Sequence, residues 1–200
     1  GIHTPLRNER IGLGLNIVRD ALGPATETFV DANFSYTIPL NANDLKLSFG
    51  LKGGLQMLDT DWSKGRFQNL ISPMVGAGLY MHTRKWYLGL AVPNFLKTEY
   101  YDDFQESVAT ERMYFYFIGG YVFNLSETTE FKPAFLVKGV SGAPLIADIS
   151  ANFWFQKKLT AGLAWRWDDS VSALVGLQVT PGMFVGYSYD MTTTGLNNYN

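Results

Sequence analysis

Between Phe131 and Asp190 the chain alternates. The segments FKPAFLVKGV, LIADISANFWF, LTAGLAWRW, VSALVGLQV and MFVGYSYDM place apolar side chains at every second position, and SGAP, QKK, DDS and TPG separate them. Period two sends successive side chains to opposite faces of an extended strand. One face carries Phe131, Phe135, Val137, Ile149, Phe153, Leu163, Trp165, Val175, Val185 and Tyr187. The other carries Lys132, Lys138, Asp148, Ser150, Asn152, Arg166, Gln178, Gly186 and Asp190. No charged residue of these five segments falls on the first face. A ribbon with one such face must turn it toward a second sheet or toward lipid.

The same pattern runs through the first half. Ile11, Leu13, Leu15 and Ile17 alternate with Gly12, Gly14 and Asn16, and ALGPA turns the chain. Thr28 to Ile38 follows, then PLNAND, then Leu45 to Met57. Val75 to Met81 and Trp86 to Val92 flank the turn TRK, and Arg112 to Phe123 is aromatic at so many positions that both orientations are possible. Met113, Phe115, Phe117, Tyr121 and Phe123 are read as its outward set. Residues Gly1 to Glu9 read as a connection. Two longer loops are expected, Leu58 to Ser72 and Pro93 to Glu111. No segment has helical periodicity. The reading is about eleven antiparallel strands in one domain spanning residues 1–200.

Three observations favour a transmembrane barrel over a soluble sandwich. Most segments reach the roughly 9–11 residues that cross a bilayer at a tilt. Many of the 20 glycines share the polar face, where they weaken a wet sheet but suit a crowded interior. Gly53 and Gly119 break that pattern. Finally, the connections alternate in kind. Counting from ALGPA, both long loops are odd-numbered, whereas PLNAND, TRK, NLSETTE, QKK and TPG are even-numbered and fairly short. Outer-membrane barrels place short turns on the periplasmic side and longer loops outside. Hydrophobic residues at 46% are compatible with this, because half the strand positions face a polar interior. Lipid tolerates no open sheet edge, and bacterial single-chain barrels close with an even strand number. An odd count therefore suggests missing terminal strands, with 12–14 strands when complete. The chain opens on Gly1, which suggests a mature or trimmed form.

The phrases HTPLRNERIGLGLNIVRDALGPATE, LSFGLKGGLQ, YLGLAVPNFLKTEY, YVFNLSETTEFKPAFLVKGVSGAPLIADISANF and SALVGLQVTPGMFVGYSYDMTTTGLNNYN span nearly the whole chain. Their sequence resembles the PorP/SprF family of the type IX secretion system of Bacteroidetes. KPAFLVK followed by GAP, and YLGLAVPN, are the most specific parts. The resemblance implies a cell outer-membrane β-barrel acting in protein secretion and gliding motility. It implies partners among other type IX secretion or gliding proteins: periplasmic ring and peptidoglycan-linked components, and the C-terminal domains of secreted adhesins. The family's tyrosine- and asparagine-rich first strand and a closing strand after GLNNYN are not found here.

The absence of cysteine excludes disulfides, thiolate metal sites and a cysteine nucleophile. A net charge of −2 gives no broad attraction to nucleic acid. His3 and His82 are the two histidines, and neither has metal-ligand spacing to carboxylates. Asp59 with Asp61, and Asp102 with Asp103, are weak calcium signals. No catalytic residue, metal or cofactor is expected. The charges Lys46, Lys52, Lys132, Lys138, Asp31, Asp148, Arg166 and Asp190 are expected in the lumen, as ion pairs that fill it. Trp86, Trp154, Trp165, Trp167, Tyr187 and Tyr189 are girdle candidates. The loop residues Trp62, Arg66, Phe67, Phe95, Tyr100, Tyr101 and Phe104 are the partner-binding candidates, since aromatics beside charges suit protein recognition. The expected function is a non-enzymatic docking component anchored in outer-membrane lipid. The alternatives are an outer-membrane channel for small solutes and a barrel hydrolase built around His82.

Overall fold

A computed structural model describes residues 1–6, 10–22, 25–41, 44–62, 66–96, 99–101, 107–110, 113–140 and 142–193. Among them there is no helix. The strands are β1 (Ile2–Pro5), β2 (Ile11–Leu22), β3 (Ala25–Pro39), β4 (Lys46–Trp62), β5 (Arg66–His82), β6 (Trp86–Val92), β7 (Glu99–Tyr101) and β8 (Ser107–Thr110). They continue with β9 (Tyr114–Tyr121), β10 (Phe123–Asn124), β11 (Thr129–Val140), β12 (Ile146–Phe155), β13 (Leu159–Arg166), β14 (Ser170–Thr180) and β15 (Met183–Thr192). The eleven expected strands are β2 to β6, β9 and β11 to β15. β1, β10 and the hairpin β7–β8 are additional.

The chain forms two compact units. The first comprises residues 1–81, 90–115 and 140–142. In it β1 to β5 and the end of β6 pair in chain order, and β7 pairs with β8. The second comprises residues 82–89, 116–139 and 143–200. There the start of β6 is followed by β9, β11, β12, β13, β14 and β15, with β10 beside β11. This is an all-β antiparallel meander, the fold class of a transmembrane barrel.

Its apolar face is uncovered. Among the described residues Met74 is the buried hydrophobic side chain, at 4% exposure. Ile17, Leu51 and Ile71 in the first unit are 60% or more exposed, as are Leu163 and Tyr187 in the second. A water-soluble sandwich would bury these positions, because each apolar side chain removed from water stabilises by about 1.5–3 kcal/mol. Met113, Phe115, Phe117, Tyr121 and Phe123 are all exposed, which settles the orientation of β9. Gly119 lies on that same face. A Cβ there would fall 2.5 Å from Cε1 of Phe135 and 2.8 Å from Cδ2 of Leu88, so those two side chains cover the glycine.

The tight turns explain the register of the second unit. Gln156 and Lys157 both have positive φ, 49° and 56°, and the Lys158 amide donates to the Phe155 carbonyl at 2.9 Å. Two central residues with positive φ match the twist of the flanking strands. The turn fixes Phe155 opposite Leu159, and the ladder then runs to Asp148 opposite Arg166.

The region Leu58 to Ser72 differs from expectation. It is not a long loop: β4 continues to Trp62 and β5 begins at Arg66, each with 17 residues. The sequence loses its apolar alternation after Met57, but a hairpin ladder needs only paired backbone, not an apolar face. Exposed apolar side chains run from Phe49 to Leu55 on β4 and from Ile71 to Leu79 on β5. The strand backbone of β4 continues from there to Trp62, and that of β5 begins at Arg66.

Candidate interior and membrane-facing surfaces

In the first unit the polar face is built in cross-strand rows. Asp31 is 5% exposed, and Asn16 and Asn33 each donate a side-chain amide proton to its Oδ1, at 3.1 and 2.6 Å. The Lys52 ammonium lies 3.6 Å from its Oδ2. Gly54 is paired with Asp31, and a Cβ on Gly54 would sit 2.7 Å from the Asp31 Cβ. The glycine is therefore what allows the carboxylate to tuck in. Gln56, Ser72 and Asn94 are also buried polar residues of this unit. Asn94 Oδ1 accepts from the amides of Val75 and Leu96, whereas its Nδ2 and the Gln56 Oε1 have no partner among the described residues.

In the second unit Arg166 grips Asp148 with two bonds. Nε donates to Oδ1 at 2.7 Å and Nη2 to Oδ2 at 3.2 Å, while Nη1 reaches Asp169 at 3.3 Å. The arginine side chain is 47% exposed, so this cluster is wet. Lys132 stands over the ring of Tyr87 at 5.2 Å, and the Tyr87 ring covers Gly120. Lys138 stands over Tyr116 at 5.7 Å. Lys46 and Asp190 are exposed, opposite Pro39 and Ser172 in their ladders. The eight expected interior charges thus give two ion-paired couples, two cations on aromatic rings and two exposed charges. The ring partners were not legible in the sequence, since Tyr87 and Tyr116 come from other strands.

Aromatic rings line the apolar face of the second unit in two places. Tyr121, Phe123, Phe131, Phe153 and Phe155 make a chain of ring contacts with centroids 4.4, 6.2, 4.7 and 6.0 Å apart. This row lies beside the turns at 125–128 and 156–158. Trp165 and Trp167 pack at 5.6 Å where the next connection begins. From Leu159, opposite Phe155, to Trp167 is eight residues, about 27 Å along the strand. At a barrel tilt of about 40° that is roughly 20 Å, close to the height of a lipid-facing band between aromatic girdles. The sequence pointed to Trp165, Trp167, Tyr187 and Tyr189, all exposed on this face. It missed the phenylalanine row. Trp154 lies on the opposite face from Phe153, and Trp86 is half-buried.

Of the partner-binding candidates, Phe95 is 45% exposed just after β6, its amide bonded to the Val75 carbonyl at 2.8 Å. The side chains of Trp62, Arg66, Phe67, Tyr100 and Tyr101, and Phe104 as a whole, lie outside the described residues. Asp102 and Asp103 do too. Among the described residues no three histidines, aspartates or glutamates are gathered as a metal site. His82 is half-buried at the end of β5.

No curated protein matches the chain in sequence. A family model does match, over residues 1–200, and it describes the type IX secretion system membrane protein PorP/SprF. An antiparallel all-β fold with an uncovered apolar face, together with that full-length match, makes the chain a member of the PorP/SprF family of type IX secretion system membrane proteins.

Proposed function

We propose that the protein is a non-enzymatic component of the outer membrane that docks partners or cargo of the type IX machinery during adhesin export and gliding. The observation that carries the anchoring half is the uncovered apolar face with its phenylalanine and tryptophan rows. Family membership supports partners among the other secretion components, including the periplasmic ring and the C-terminal domains of exported adhesins. The docking surfaces are the outer part of the β4–β5 hairpin, with Trp62, Arg66 and Phe67, and the segment Pro93 to Glu111, with Phe95, Tyr100, Tyr101 and Phe104. Lys52 and Asp148 are each paired with an opposite charge, which argues against a solute path lined by free charges of one sign.

The test is affinity recovery from native membranes of strains carrying the intact chain or one with 60–68 and 97–110 replaced by short turns. The truncated form is expected to fractionate with outer membrane and to lose the co-purifying secretion components. Undiminished recovery would refute the assignment of docking to these segments.

A further inference from the structure

The first unit carries an open pocket of about 610 Å³ on its polar face. That lies within the range of small-molecule sites, about 300–1,000 Å³. Its wall is assembled by strand register. His3 pairs with Gly14, Gly14 with Asn33, and Asn33 with Lys52, so these four stand in one row across β1 to β4. The next row is Pro5, Gly12, Ser35 and Gly50, paired in the same way, and Gly76 and Gly78 continue the wall on β5.

The two rows differ in chemistry. Backbone amides and carbonyls of a paired strand point along the sheet, so a glycine presents mainly its Cα hydrogens to the face. At Gly50 this leaves room for a ligand to approach the backbone, with nothing nearer than 3.8 Å to a Cβ built there, whereas the Ser35 hydroxyl stands over Gly12 and the Pro93 carbonyl over Gly76. The row above these glycines carries the Lys52 ammonium. Lys52 and His3 are the ionisable residues of the wall, and no carboxylate lines it. The Asp31 carboxylate stands one row further on, opposite Asn16, its oxygens occupied by Asn16, Asn33 and Lys52. Its side chain is 7% exposed against 27% for Lys52, so an entering ligand meets the ammonium. An ammonium has three donors, and Asp31 takes one side of it.

We propose that this pocket binds a single-chain anionic amphiphile, a fatty carboxylate, with its head between His3, Asn33 and Lys52 and its tail along Gly50 and Gly78. The site is independent of the docking role of the projecting segments. The chain, purified in a non-ionic detergent and stripped of lipid, would be titrated with palmitate and with hexadecanol. Palmitate is expected to bind at one per chain. Lys52→Met should weaken palmitate about tenfold or more, the scale of one hydrogen bond to a charged group, and leave hexadecanol unchanged. Lys52→Arg should restore palmitate. Gly50→Leu should remove binding of both, because a Cβ at Gly50 has its nearest neighbour 3.8 Å away and the side chain would enter the pocket. Gly14→Leu, with 3.6 Å of clearance, serves if that variant does not fold. Gly53→Leu, exposed on the other face, should change nothing. Non-saturable uptake, equal uptake by Gly50→Leu and its parent, or indifference to Lys52→Met would each overturn the proposal. The last two outcomes would mean that the ligand partitions into detergent or binds elsewhere.

Discussion

Leu163 is the sharpest place to ask what wets the apolar face. It is 62% exposed in the middle of β13, with the Phe153 row on one side and Trp165 and Trp167 on the other. Its ladder neighbours are Ala151 and Ala173, so no large side chain shields it there. Four residues separate it from Trp167, about 14 Å along the strand and roughly 10 Å along the membrane normal at a usual tilt. Arginine at the midplane of a barrel's lipid face costs about 2–4 kcal/mol, falling to about 0–1 near the interfaces. On a water-wetted surface the same change stays within about ±0.5 kcal/mol. Leu163→Arg and Trp167→Arg, refolded into phospholipid vesicles and unfolded with urea or guanidinium, should therefore separate by about 2 kcal/mol or more. Equal, negligible costs at both sites would refute the assignment of this face to hydrocarbon.

Other substitutions address the packing. Asp31→Leu should cost about 2–4 kcal/mol in the same unfolding assay, since it strands the amides of Asn16 and Asn33 and the Lys52 ammonium near the interior. Arg166→Ala should cost no more than about 1 kcal/mol despite its two-pronged contact, because the pair is wet, and a double-mutant cycle with Asp148→Ala measures the coupling. Gly119→Val should destabilise by about 1–3 kcal/mol, because its side chain must displace the Phe135 ring, and pairing it with Phe135→Ala should recover part of that loss. Lys157→Gly should raise stability by up to about 1 kcal/mol by relieving a positive φ in the β12–β13 turn.

The second half of the fold was legible because each strand there is one alternating run closed by a turn. The register of β12 on β13 follows from QKK alone, and the outward set of β14 follows from Val171, Ala173, Val175 and Leu177. The β4–β5 hairpin was not legible. Alternation reports the face that meets lipid, and it stops at Met57, whereas the ladder goes on for several residues. β1 escaped for a similar reason: IHTP is too short and too polar to show a period, and β2 is what holds it extended. Asp31, Lys52, Asp148 and Arg166 could be named as interior charges by parity. Who pairs with whom could not, because a partner one strand over is set by turn length and register. Gly54 shows the limit well, since its role depends on a carboxylate 23 positions earlier in the chain.

The overlong ribbon formed by β4 and β5 has a mechanical meaning. A free loop of that length would wander, and any molecule that captured it would have to freeze it first. Here the backbone is already ordered to Trp62 on one strand and from Arg66 on the other. Little freedom is left to lose on contact, so a partner that docked on these two strands, as proposed, would find a post rather than a tether.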